Sequence, residues 1–182
     1  MNKHLKTVLS DKRDTIVKRW FEAVARTYPA DTARFLQSRR DPFANPVGNT
    51  TIRGLNGLFD QLLADMVPDE VVACLDPIIR IRAVQSFTPS RATGFVFALK
   101  AIIRDQVGKG GSERPIADGL TEIDGRIDDM GLMAFDVYMR CKEKVYQIKA
   151  NEMRNRTYSA FHRAGLVREI PEDGPDLSKT IE

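Results

Sequence analysis

From Ile116 onward the chain repeats itself in steps of four and three. Apolar or small residues stand at 116, 120, 123, 127, 130, 134, 137 and 141, and Val145 and Ile148 continue after a shift of phase. Such a heptad spacing brings side chains to one side only on an α-helix. A helix unbroken to about residue 164 would span roughly 75 Å, whereas a compact chain of this length has a radius of gyration of about 16 Å. The helix must therefore break, protrude or pair. Gly119, Gly125 and Gly131 lie inside it, each costing about 1 kcal/mol relative to alanine, and a break near Gly131 is one outcome. Pairing with a second copy is the preferred expectation, through a dimer seam of Ile123, Ile127, Met130, Ala134, Val137 and Cys141. The alternative is a bundle seam within one chain.

The remainder also reads as helix. No β-branched run alternates with polar residues between turn signals. Ser10 is an N-cap candidate ahead of a stripe through Ile16, Val17, Trp20, Phe21, Val24 and Tyr28, which Pro29 ends. "ADTARFL" offers a short second helix. "SRRDPFANPVGNTT", residues 38–51, has the composition of a loop, and Thr50 or Thr51 can cap the amphipathic helix that follows. Pro68 opens a further helix, in which Pro77 either kinks the chain or starts a fresh segment. Thr88-Pro89 caps the next, whose apolar surface runs almost all round and suits a buried central position. "GKGGSERP" is a linker. The expected organisation is a helical core over 1–110, a long C-terminal helix of the same fold over 111–165, and a flexible tail over 166–182.

With 42% hydrophobic and 29% charged residues, the 182-residue chain has an ordinary globular composition. It has no apolar run of membrane-spanning length and no signal-peptide core, so a cytoplasmic location is expected. Cys74 and Cys141 are expected as buried, reduced thiols, since no CxxC or Cys/His spacing points to metal. A net charge of +3 is too small to imply nucleic acid. The basic stretch from Arg140 to Arg163, interleaved with Tyr146, Tyr158 and Phe161, is expected as a solvated helix face, with a phosphate backbone as the rival partner.

Marks of catalysis are missing. His4 and His162 lie near the ends, and no nucleophile elbow, zinc-protease motif or phosphate loop occurs. No enzyme activity and no metal site are expected. One residue stands out: Arg82 falls on the apolar side of its helix, between Val71, Leu75 and Ile78, with Gln85 and Ser86 on the same side. A buried guanidinium without partners costs several kcal/mol. It is expected to be buried and hydrogen-bonded, either paired with a carboxylate (Asp41 or Asp60) or forming the polar wall of a ligand pocket. That pocket would comprise Arg82, Gln85, Ser86, Phe43 and Phe95.

Taken in order, "VKRWFEAVARTYP", "DPFANPVG" and "IRIRAVQSFTPSRATGFVF" resemble the N-terminal, RsbRD-type sensory domain of the RsbT co-antagonist family over roughly residues 5–145. The resemblance implies an all-α, globin-like, dimeric input module of the stressosome or of other bacterial stress or redox-linked signalling proteins. It also implies that the segment from Ile116 is the helix joining such a domain to a STAS or kinase-type output. The sequence ends at Glu182, without room for a STAS domain, so contact with a separate signalling protein is the expected output. No cofactor is expected: histidine-ligated haem would need a mid-chain histidine, and there is none between His4 and His162. The expected function is thus a non-enzymatic sensory or regulatory domain acting by dimerisation and protein contacts, with a ligand or partner bound among the middle helices biasing the dimer. The rivals are a scaffold that binds no ligand and a nucleic-acid-binding protein.

Overall fold

The computed structural model describes residues 3–38, 43–85, 87–108 and 114–167. Those residues form eight helices and no strand: α1 Lys3–Asp11, α2 Arg13–Ala25, α3 Ala30–Ser38, α4 Pro46–Leu63, α5 Pro68–Val84, α6 Pro89–Thr93, α7 Phe95–Val107 and α8 Arg114–Arg163. The all-α expectation holds. The chain divides into two units, 1–143 and 144–182, with the boundary inside α8. The first unit holds the core, so the opening thirty residues of α8 belong with α1 to α7. In the second unit the described residues are exposed, save the half-buried Val145 and Val167. Most of the expected tail, 168–182, lies outside the described residues, as does most of the linker.

Several boundaries depart from the sequence reading, each for a local reason. Ser10 caps nothing; it lies inside α1, whose Leu5 and Leu9 are fully buried in the core. The break comes at Lys12, whose carbonyl accepts the Ile16 N–H at 2.9 Å. Helix α4 starts before Thr50 and Thr51. Asn45 is its N-cap, accepting from the Gly48 N–H at 2.9 Å, and Pro46 occupies the first helical position. The glycine that argued for a loop is required by this cap, because a Cβ at Gly48 would stand 2.3 Å from the Asn45 amide. Pro77 lies within one continuous α5. Thr88 does cap α6, with its hydroxyl accepting from the Arg91 N–H. The chain then turns at Gly94, so α6 and α7 are separate, and the buried Trp20 Nε1 donates to the Phe95 carbonyl at 2.7 Å. Helix α7 is not enclosed all round, since Phe97 is 42% exposed.

The largest correction concerns α8. It is unbroken over 50 residues, and its heptad seam is not a dimer surface. Ile123, Ile127, Met130, Ala134 and Val137 are each at most 1% exposed within the single chain, and Cys141 is half-buried. The alternative of an intrachain seam is the one the protein adopts. Ion pairs flank it: Lys100 with Asp128 at 2.7 Å, and Arg104 with Asp124. Arg126 also donates to the Leu62 carbonyl at the end of α4. Gly131 does not break the helix; it lets α7 approach, since a Cβ there would meet the Phe97 ring at 2.2 Å.

The two helical glycines therefore separate propensity from packing. Gly125→Ala, with nothing within 4 Å of its new methyl, is expected to stabilise the protein by about 0.5–1 kcal/mol. Gly131→Ala is expected to destabilise it by about 1 kcal/mol, because Phe97 must leave its seat. Urea melts of the two variants check the opposite signs.

Candidate functional site

Arg82 is buried to 1% exposure on the inner face of α5, near the helix end. Its guanidinium lies among three aromatic rings: its carbon is 4.4 Å from the centre of Phe87, 5.4 Å from Tyr28 and 5.5 Å from Phe95. Its Nη2 donates to the Thr27 hydroxyl at 2.9 Å and to the Arg91 carbonyl at 2.6 Å. Arg91 reciprocates, donating to the Thr27 carbonyl at 2.7 Å while its own guanidinium stacks 5.3 Å over Phe87. Tyr28 and Phe87 meet edge to face at 5.1 Å. Tyr138 of α8 closes the cluster by donating to the Phe87 carbonyl at 2.8 Å. The end of α2, the end of α5, the α5–α6 connection, α6, the start of α7 and the middle of α8 thus meet around one charge.

The expectation of a buried, hydrogen-bonded arginine is met, but a carboxylate partner is not found among the described residues. Asp60 is held by Arg13, which donates to both its oxygens at 2.9–3.0 Å, and Asp41 lies outside the described residues. The aromatic faces take the place of the anion: a desolvated guanidinium over a ring is worth about 2 kcal/mol or more. Arg82 Nε and Nη1 have no hydrogen-bond partner among the described residues. Burial pulls the Arg82 pKa down, opposed by the neighbouring Tyr28 hydroxyl. Burial likewise pushes the Tyr28 phenol up, against the pull of Arg82.

Of the five residues expected to line a pocket, Arg82 and Phe95 come together. Gln85 is exposed: it is the extended C-cap of α5, so the helix ends before it can turn that side chain inward. Phe43 is 97% exposed and stands outside the box, and Ser86 lies outside the described residues. Thr27, Tyr28, Phe87 and Arg91 were missed. Their signal was present in the alternation of aromatic and basic residues in "RTYP" and "SFTPSR" on either side of helix ends. Cys74 and Cys141 are free and half-buried rather than fully buried. Burial pushes both thiols up, with Glu70 adding to it at Cys74 and Asp76 at Cys141. These are the surroundings of thiols slow to form thiolate.

The family model for the RsbT co-antagonist protein rsbRD N-terminal domain matches residues 14–153 of the chain. The chain belongs to that family. No curated protein and no solved structure matches it. Membership supports a regulatory signalling domain of the RsbT co-antagonist type, a family that points to protein–protein interaction in a signalling complex. The match covers the whole aromatic box and the first unit's share of α8. Among the described residues there is no group of three or more metal-binding side chains, and no helix is long and apolar enough to cross a membrane.

The box makes a graded prediction. Arg82→Ala leaves two acceptors unpaired and a void between three rings, and is expected to cost about 3 kcal/mol. Arg82→Met keeps the volume and orphans no carboxylate, so it is expected to cost less than about 1.5 kcal/mol. Chemical denaturation of both variants measures the difference; equal losses would show that charge, not filling, holds the corner.

Proposed function

We propose that this RsbRD N-terminal domain is a non-enzymatic, haem-free cytoplasmic regulatory module that pairs with a second copy through the outer face of α8. The observation that carries the pairing is a second apolar stripe. Leu132, Phe135 and Met139 are 66%, 45% and 40% exposed, at steps of three and four. At about 100° per residue they lie roughly 120–180° around α8 from the buried seam. The seven-residue step continues through Tyr146, Met153 and Ala160 in the sequence of the second unit. A stripe with this period fits the same stripe on another copy of the helix, because a 3.5-residue repeat keeps its side chains facing a partner helix. Lys142, next in the pattern, is drawn back over the Tyr138 ring at 5.8 Å, which takes its charge away from the contact.

The inner face of the same helix is continuous with the aromatic box through Tyr138. A ligand or partner that shifts the packing of α2, α5 or α7 would therefore bias the helix that carries the association surface. Such a device works as a population shift and needs no chemistry at the site. The half-buried, high-pKa thiols favour a stress input other than thiol oxidation.

Cysteine cross-linking tests the pairing. In a chain whose Cys74 and Cys141 have been replaced by alanine, single cysteines are introduced as Leu132→Cys, Phe135→Cys, Met139→Cys and, as the inner-face control, Ala134→Cys. At least one outer-face variant is expected to give a disulfide-linked dimer under mild oxidation, and the control none. Cross-linking at 134 alone would return the dimer contact to the heptad seam. No cross-linking at any position would contradict pairing through α8.

A further inference from the structure

A cleft of about 370 Å³ opens where α2, the end of α3 and the start of α4 converge. Its volume falls at the lower end of the roughly 300–1,000 Å³ typical of small-molecule sites. The lining combines two kinds of group. Phe21, Leu36 and Ile52 supply an apolar floor, one from each of the three helices. Lys18 and Glu22 stand on the rim one turn apart on α2. Residues four apart share a helix face and commonly pair, yet neither Lys18 nor Glu22 has an ion-pair or side-chain hydrogen-bond partner among the described residues. Asn45, 2% exposed, fixes the back wall by donating to the Leu36 carbonyl at 2.9 Å while capping α4. That bond ties α3 to α4 before any ligand arrives, so two of the three walls are preformed.

We propose that this cleft binds a small zwitterion with an apolar tail, of the size and charge pattern of an α-amino acid with a branched or aromatic side chain. Lys18 takes the carboxylate, the half-buried Glu22 takes the ammonium, and the tail lies on Phe21, Leu36 and Ile52. The opposite charges are what select the class: a fatty acid would leave Glu22 facing its own sign, and a simple amine would leave Lys18 unmatched. The cleft is separate from the aromatic box, and α2 joins the two, since Thr27 and Tyr28 follow directly from the helix that carries Lys18 and Glu22. This assignment deepens the sensory reading above and rests on it for its purpose, though not for its binding.

The test is thermal denaturation and isothermal calorimetry of the full chain with leucine, isoleucine, valine and phenylalanine at millimolar concentration. Isoamylamine and 4-methylpentanoate serve as the half-charged controls. At least one amino acid is expected to raise the melting temperature and bind saturably, with each half-charged control weaker by roughly tenfold or more. Lys18→Met and Glu22→Gln are each expected to weaken binding by about the same factor while leaving the unliganded melt in place, since neither side chain holds a partner. Ile52→Asp serves as the floor variant and is expected to abolish binding. An absence of any response to the four amino acids overturns the assignment, as does equal binding of a half-charged control or undiminished binding to the Lys18 and Glu22 variants. Binding without any change in α8 cross-linking would uphold the site and count against the signalling role. Cross-linking that persists where none of the amino acids binds would overturn the site and leave the pairing through α8 standing.

Discussion

A buried positive charge with no carboxylate beside it among the described residues is the constraint around which the first unit is arranged. Arg82 cannot leave the interior without emptying the space between Tyr28, Phe87 and Phe95, and it cannot stay unless those rings and the Thr27 and Arg91 acceptors hold their places. Removing a guanidinium from water costs several kcal/mol, so each compensating contact matters and their geometry is closely specified. That requirement fixes where α2 ends, where α5 ends and how the connection through Phe87 turns into α6. Because Tyr138 donates to the same connection, it also fixes the register of α8 against the rest.

Helix α8 then serves two roles with two faces. Its heptad seam completes the core of its own chain, which explains why a pattern associated with coiled coils carries residues as fully buried as Ile127, Met130 and Ala134. The opposite face leaves Leu132, Phe135 and Met139 in solvent. A helix bound on one side to a closely specified core and apolar on the other is suited to couple packing inside the domain to association outside it.

The parts of this that were legible in the sequence share a cause. Helix periodicity, the Thr88-Pro89 cap and the inward placement of Arg82 follow from local spacing, and all three hold. What was misread depended on knowing which surface meets which. A heptad seam looks the same whether its partner is a second copy or the other helices of its own chain, so Ile123 to Val137 gave the right face and the wrong neighbour. Gly48 and the Asn45-Pro46 pair look like loop residues until the Asn45 amide is seen to occupy the space of the missing side chain. Gln85 was placed inward by extending the α5 periodicity one residue past the helix end. The aromatic box was hidden because its rings come from helix ends and connections, where periodicity carries no information.

The association state of the unmodified chain bears most directly on the central claim, that one face of α8 builds the core and the other recruits a second copy. Native mass spectrometry of the full chain at micromolar concentration is expected to give a species at twice the 20.5 kDa chain mass. That species should shift to the single-chain mass when Leu132 and Met139 are both changed to glutamate. A single-chain mass for the unmodified protein, or a dimer indifferent to those two changes, would contradict it.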